Sequence, residues 1–205
     1  TPFLKIKMRP LDASDSEALI SNILNTKGFR HYIKDQIIQR SSGNPFFIEE
    51  VVHSFIDEGA IVKKGEHFIT SEKIHAMVVP QTINDVLMAR IDRLEEMDRD
   101  IVKIASVIGR SFFYKILAEI AESSEDIVDK LRYLKEIELI REGTKMGEVE
   151  YLFKHALVQE TVYKSILRQK RKEIHLKVAE STENIFGDRL NEFYGNLAFH
   201  YSRAE

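Results

Sequence analysis

Apolar residues recur at helical spacing along most of the chain and switch to strand-like alternation in a few short places. Pro2 to Met8 alternates like a strand. Ser14 and Glu17 have the spacing of a capping box and predict a helix with Leu19, Ile20, Ile23 and Leu24 as its stripe. A second helix carries Phe29, Tyr32, Ile33, Ile37 and Ile38 and should close at Gly43, which lacks the Cβ that disfavours a left-handed residue. Asn44 then suits an N-cap and Pro45 the first helical position, where a missing N–H costs nothing. Phe47, Val51, Val52, Phe55 and Ile56 form the buried face of this third helix, up to Gly59. Residues 60–62 and 67–69, separated by Lys-Lys-Gly-Glu, predict a small hairpin.

Pro80 marks the expected boundary. Beyond it, Thr82 and Asp85 cap a helix with Ile83, Val86, Leu87, Ile91 and Leu94. Asp98 is expected to start the next, which ends at Gly109, and a short helix follows from Phe113 to Ile120. Ser123 and Ser124 should open one more, with Ile127, Leu131 and Leu134 inward. The period then changes: residues 139–142 and 149–153 read as strands around a turn with Gly143 and Gly147. Helices followed by a two-stranded wing give the order of a winged helix. Helical spacing returns through Leu157 and Val162, then Ile174, Val178 and Ile185 to Gly187, and again at Leu190, Phe193, Leu197 and Tyr201. An unpaired opening strand and a closing stripe with nothing to cover it make both ends read as cuts through a longer protein.

Composition narrows the chemistry. The 205 residues are 43% hydrophobic and 31% charged, an ordinary globular balance. The net charge of −3 gives no footing for wholesale binding of nucleic acid or anionic membrane, and no apolar run reaches the roughly 18 residues of a membrane span. Cysteine is absent, which removes disulfides, thiolate catalysis and cysteine metal sites and suits a cytoplasmic location. The seven histidines show no metal-ligand spacing and read as solvated or satisfied surface groups. Adjacent carboxylates such as Glu49–Glu50 and Glu95–Glu96 read as solvated faces.

Three segments taken together resemble one family: residues 42–50 (Ser-Gly-Asn-Pro-Phe-Phe-Ile-Glu-Glu), 89–94 (Ala-Arg-Ile-Asp-Arg-Leu) and 153–160 (Phe-Lys-His-Ala-Leu-Val-Gln-Glu). The family is the signal-transduction ATPases with numerous domains (STAND ATPases), in the branch attached to bacterial adenylate or guanylate cyclases, protein kinases and transcriptional activators. The resemblance implies a mainly α fold. Residues 1–12 would be the last strand of a truncated P-loop domain, 13–78 a helical lid-type domain of the AAA+ kind with a small hairpin, 79–167 a winged-helix domain with a small β wing, and 168–205 the start of a helical, TPR-like repeat region. The upstream P-loop domain, the downstream repeats and an effector domain in cis would be the partners.

The same resemblance supplies the site residues. Gly43, Asn44 and Pro45 match a Gly-x-Pro motif whose proline lies against the adenine or ribose of a bound nucleotide. His155 aligns with the histidine of a Met-His-Asp motif that reaches the terminal phosphate of ADP, although Lys154 and Ala156 flank it here. Backbone physics alone explains Pro45 as an ordinary helix-start proline, and His155 as a half-buried polar tip.

No Gly-x-x-x-x-Gly-Lys followed by Ser or Thr occurs, so the chain lacks a phosphate cradle and should not hydrolyse ATP alone. No cofactor is expected for this stretch itself, and ATP or ADP with magnesium is expected for the longer protein. Arg90 and Arg93 are expected to pair lid and winged helix. Arg168, Lys170, Arg171 and Lys172 read as a charged helix start. The alternatives are a helical protein-interaction scaffold and, third, a DNA-binding winged helix. The helix that would enter a groove, about residues 124–138, is net acidic, which argues against DNA.

Overall fold

Amphipathic stripes find their partners in two compact units, Thr1–Arg90 and Ile91–Glu205, of a computed structural model that describes residues 9–25, 31–121 and 127–205. The expected strand at Pro2–Met8, Phe29 and the helix start at Ser123–Ser124 lie outside the described residues. Among the described residues the architecture is mainly helical, with two small antiparallel sheets.

In the first unit, α1 (Ala13–Leu24), α2 (His31–Ser41) and α3 (Pro45–Asp57) precede the hairpin β1 (Ile61–Lys64) and β2 (His67–Thr70). A 3-10 turn (Glu72–Ala76) follows, and then α4 (Ile83–Asp92), in which the unit ends at Arg90. Ile20, Leu24, Ile37, Ile48, Val51 and Phe55 form its buried centre. Burial of each such side chain is worth roughly 1.5–3 kcal/mol over leaving it in water. The reciprocal cap of α4 is formed as expected: Thr82 N–H donates to Asp85 Oδ2 at 3.1 Å, and Asp85 N–H to Thr82 Oγ1 at 3.2 Å.

Two local expectations fail here. Asp12, rather than Ser14, caps α1, accepting from the Asp15 N–H at 2.8 Å. Its full charge suits the positive helix end better than a hydroxyl does, and Glu17 is taken instead by Lys34 of α2. Tyr32 is 71% exposed, because the i, i+4 pair Ile33 and Ile37 sets the buried face and leaves the ring beside it.

The second unit contains α5 (Glu96–Ile108), β3 (Ser111–Phe113), α6 (Tyr114–Ile120), α7 (Ile127–Glu136), β4 (Ile140–Lys145) and β5 (Glu148–Phe153). It continues through α8 (Ala156–Ser165), α9 (Arg168–Ile185), a 3-10 turn (Gly187–Glu192) and α10 (Tyr194–Ala204). The sheet order is β3-β5-β4, with Phe112 and Glu142 both opposite Tyr151. Phe112, Leu117, Leu131, Leu134, Phe153 and Val178 are buried.

Sequence periodicity misses β3, whose three residues are too few to show alternation, and Phe113 ends that strand instead of starting a helix. Helix α5 begins two residues before Asp98, which lies in its first turn, buried, with Lys130 3.4 Å away. Of the two glycines assigned to the wing turn, only Gly147 is there. Met146 and Gly147 both have positive φ, the signature of a two-residue hairpin turn, whereas Gly143 sits within β4 opposite Glu150.

Candidate functional site

The turn from α2 to α3 is built around the Gly43 backbone. Gly43 has φ +75°, and a Cβ there would lie 2.2 Å from the Leu11 carbonyl oxygen. Only glycine satisfies both the left-handed conformation and the close approach. Leu11 N–H donates to the Gly43 carbonyl at 2.8 Å, which ties the segment entering α1 to this turn. Asn44 caps α3 as the sequence predicts, its side-chain oxygen accepting from the N–H groups of Phe46 (3.0 Å) and Phe47 (3.4 Å). Asn44 and Pro45 are exposed, so the start of α3 presents a rigid, proline-faced surface. With the Phe46 and Phe47 N–H groups taken by Asn44 and no N–H on Pro45, the start of α3 offers the proline ring rather than free backbone donors.

Behind the same helix lies a buried ion pair. Arg90 of α4 is 4% exposed and Glu50 of α3 is 5% exposed; Arg90 Nη1 donates to Glu50 Oε2 at 2.8 Å. Arg90 Nε also donates to Asp57 Oδ2 at 3.2 Å. Glu50 is therefore not a solvated carboxylate. Its helix position faces α4, and the arginine that balances its charge lies 40 residues away in sequence.

His155 lies in the second unit, as the N-cap residue of α8 directly after β5. Its backbone is extended, its side chain makes no cap bond to the helix, and its carbonyl accepts from Val158 N–H at 3.1 Å. The imidazole is half-buried at the positive end of a helix whose first turn has no acidic residue. Such a group can donate a hydrogen bond to an anion. Neighbouring Lys154 is occupied, with its ammonium 2.6 Å from Glu138. Gly43, Asn44 and Pro45 thus form one turn in the first unit, and His155 opens a helix in the second.

Two other histidines are buried, against the reading of all seven as surface groups. His175 of α9 is 1% exposed and His200 of α10 is 0% exposed. Their Nδ1 atoms are 2.8 Å apart, and the Tyr163 hydroxyl is 3.1 Å from His175 Nε2. Burial first, then the Arg203 and Arg171 charges, pushes His175 down to about 4. Burial and the neighbouring imidazole do the same to His200. Histidine spacing could not reveal the pair, because its members lie 25 residues apart on different helices.

The surface of α7 was the candidate for DNA. Its three cations all have carboxylate partners: Lys130 with Glu95 at 3.1 Å, Arg132 with Asp129 at 2.6 Å, and Lys135 with Glu142 at 2.5 Å. Among the described residues no helix is long and apolar enough to cross a membrane.

A family described as a domain of unknown function (DUF8739) matches residues 12–64, which include α1 to α3 and the Gly43 turn. An uncharacterized protein of Rhizobium meliloti (strain 1021) is 23% identical over 208 residues, covering 98% of this chain and 19% of its own length. Among solved structures, a STAND protein with a tetratricopeptide repeat sensor from Pyrococcus horikoshii aligns with a TM-score of 0.48 at 16% identity. That alignment covers 83% of this chain and 22% of the other. The chain spans about a fifth of the length of the relatives it matches.

Proposed function

We propose that this chain is the regulatory segment of a STAND-type signalling ATPase, in which Pro45 and His155 sense whether ADP or ATP occupies a neighbouring P-loop domain. One observation carries the reading. The Gly-x-Pro segment is a turn in which Gly43 is irreplaceable on steric grounds and Pro45 is held outward at a capped helix start. A surface proline fixed in this way is suited to pack on a planar base or ribose, and His155 is suited to donate to a phosphate. The family-like order of all three sequence segments supports the same assignment.

In this reading residues 13–78 act as the lid, 79–167 as a winged helix and 168–205 as the first repeat. Pro45 and His155 would each meet nucleotide held by the P-loop domain, and bound ADP with magnesium would favour one of two states. Exchange for ATP changes the phosphate contact at His155, and the helical repeats relay that change to an effector in cis such as a nucleotide cyclase or kinase. Only a ligand that interacts differently with the two states can shift their balance, which the terminal phosphate provides. The segment itself performs no phosphoryl transfer, since it contains no P-loop sequence. The partnered cations of α7 support a role other than DNA binding.

Photolabelling tests the reading. In the longer protein that joins this chain to a P-loop domain, 8-azido-ADP should label the peptide around Asn44–Pro45, and excess ADP should suppress the label. Labelling confined to the P-loop domain would instead favour a protein-interaction scaffold.

A further inference from the structure

The start of α9 runs against backbone electrostatics. Arg168, Lys170, Arg171 and Lys172 crowd its first residues, no acid lies in its first turn, and Leu167 provides no side-chain cap. A helix start favours negative charge, so four cations there repel both the helix end and one another. Local choices that conflict with the fold tend to mark functional positions.

The four cations do not behave alike. Lys170 is neutralised by Glu173 at 3.3 Å. Arg168, Arg171 and Lys172 instead line a cavity of about 260 Å³, joined by Arg203 from α10. Tyr163, Ser202 and the buried His175 also contribute to the wall, and Glu205 is the single carboxylate. Among the described residues, Arg168, Arg171 and Arg203 have no carboxylate within ion-pair distance. Arg171 stacks 4.8 Å above the Tyr163 ring and Arg203 stacks 5.5 Å from Phe199, contacts that orient guanidinium planes without using their N–H donors. Lys172 donates to the backbone carbonyl of Glu205.

We propose that this cavity is a binding site for a phosphoryl group, held by the guanidiniums of Arg168, Arg171 and Arg203 with Lys172. Guanidinium forks match phosphate oxygens two at a time. The three guanidiniums leave the site positive even with Glu205 at its rim and Lys172 engaged by that residue, which favours a phosphoryl anion. A volume of about 260 Å³ admits the phosphoryl group together with part of the molecule that carries it. None of these residues belongs to the nucleotide-sensing set Gly43, Asn44, Pro45 and His155, so the two assignments stand or fall separately.

His175 supplies a built-in reporter. It lies in the cavity wall, and the groups facing it are Tyr163 from α8, Arg171 from α9, and His200 and Arg203 from α10. An anion seated between Arg171 and Arg203 offsets the positive charge that helps hold this imidazole neutral.

The test is a titration of the 205-residue chain with inorganic phosphate at constant ionic strength, read by NMR at the His175 ring and by calorimetry. Saturable shifts of the His175 signals are expected with phosphate and not with chloride. Arg168→Gln, Arg171→Gln and Arg203→Gln should each weaken binding about tenfold or more, in line with losing a charge-assisted contact. Lys170→Gln, which removes a charge already paired with Glu173, should leave affinity within about twofold. Unchanged thermal unfolding of each variant separates lost binding from lost folding.

AMP and O-phosphoserine identify the source. Tighter binding of AMP marks a nucleotide phosphate, tighter binding of phosphoserine a phosphorylated side chain, and equal affinities phosphate itself. Absence of saturable binding, or equal weakening by Lys170→Gln and the arginine variants, overturns the proposal.

Discussion

The Leu11 N–H donates to the Gly43 carbonyl at 2.8 Å, and in the same contact the Leu11 carbonyl oxygen occupies the space a Gly43 side chain would need. The segment that leads into α1 is thereby fastened to the turn that orients Pro45. A change in the strain on one is felt by the other through backbone atoms alone.

Gly43→Ala should therefore destabilise the first unit by more than the roughly 1 kcal/mol of an ordinary left-handed glycine replacement, because the collision is with backbone. Asn44→Ala, which removes only the cap, should cost about 1 kcal/mol. Urea unfolding of the two variants checks the order. Equal losses would mean that the contact with Leu11 yields easily.

Arg90→Met leaves Glu50 buried without its counter-charge and should cost about 3–5 kcal/mol. Asp57→Asn, at the half-exposed edge of the same network, should cost less than about 1 kcal/mol. Combining Arg90→Met with Glu50→Leu should recover much of the loss. The coupling in that double-mutant cycle is the number to measure.

Both of these relationships show where sequence reading stops. Helices, hairpin and wing were legible because apolar spacing, Thr82 with Asp85, and Asn44 with Pro45 are local signals. The Gly-x-Pro turn was legible as a cap for the same reason. The need for glycine at position 43 was only half legible: the positive φ could be inferred, but the collision with Leu11 comes from residues 32 positions away. Glu50 looked solvated because its partner is distant in sequence, and the buried histidines were hidden likewise. The Ser14–Glu17 spacing hides Asp12 in the sequence, since both are good cap signals and only the nearby Lys34 decides where Glu17 goes.

Stability should depend on pH through His175 and His200. Each is held at about 4 in the folded chain, against about 6.5 for an unperturbed histidine. Between those values the unfolded chain binds protons that the folded chain refuses, so stability rises with pH across this window. It should be complete above about pH 6.5 and fall progressively toward pH 4. Urea midpoints measured from pH 4.5 to 7.5 check the slope, and His200→Leu should flatten it.

Duplex DNA should not bind through α7. The three α7 cations are each engaged by a carboxylate, so few counterions can be released from the duplex. Fluorescence anisotropy at low salt should be the same for the parent and for Lys130→Gln, Arg132→Gln and Lys135→Gln, and salt-sensitive association lost in these variants would reverse this assignment.

Pro45 and His155 are proposed to hold bound nucleotide. The most direct measurement of this is the dissociation rate of fluorescent ADP from the longer protein containing this chain and its P-loop domain. Pro45→Ala and His155→Ala, each with unchanged thermal unfolding, should release ADP about tenfold faster or more, as expected for a lost packing contact or charge-assisted hydrogen bond. Off-rates equal to the parent's in both variants would contradict the account.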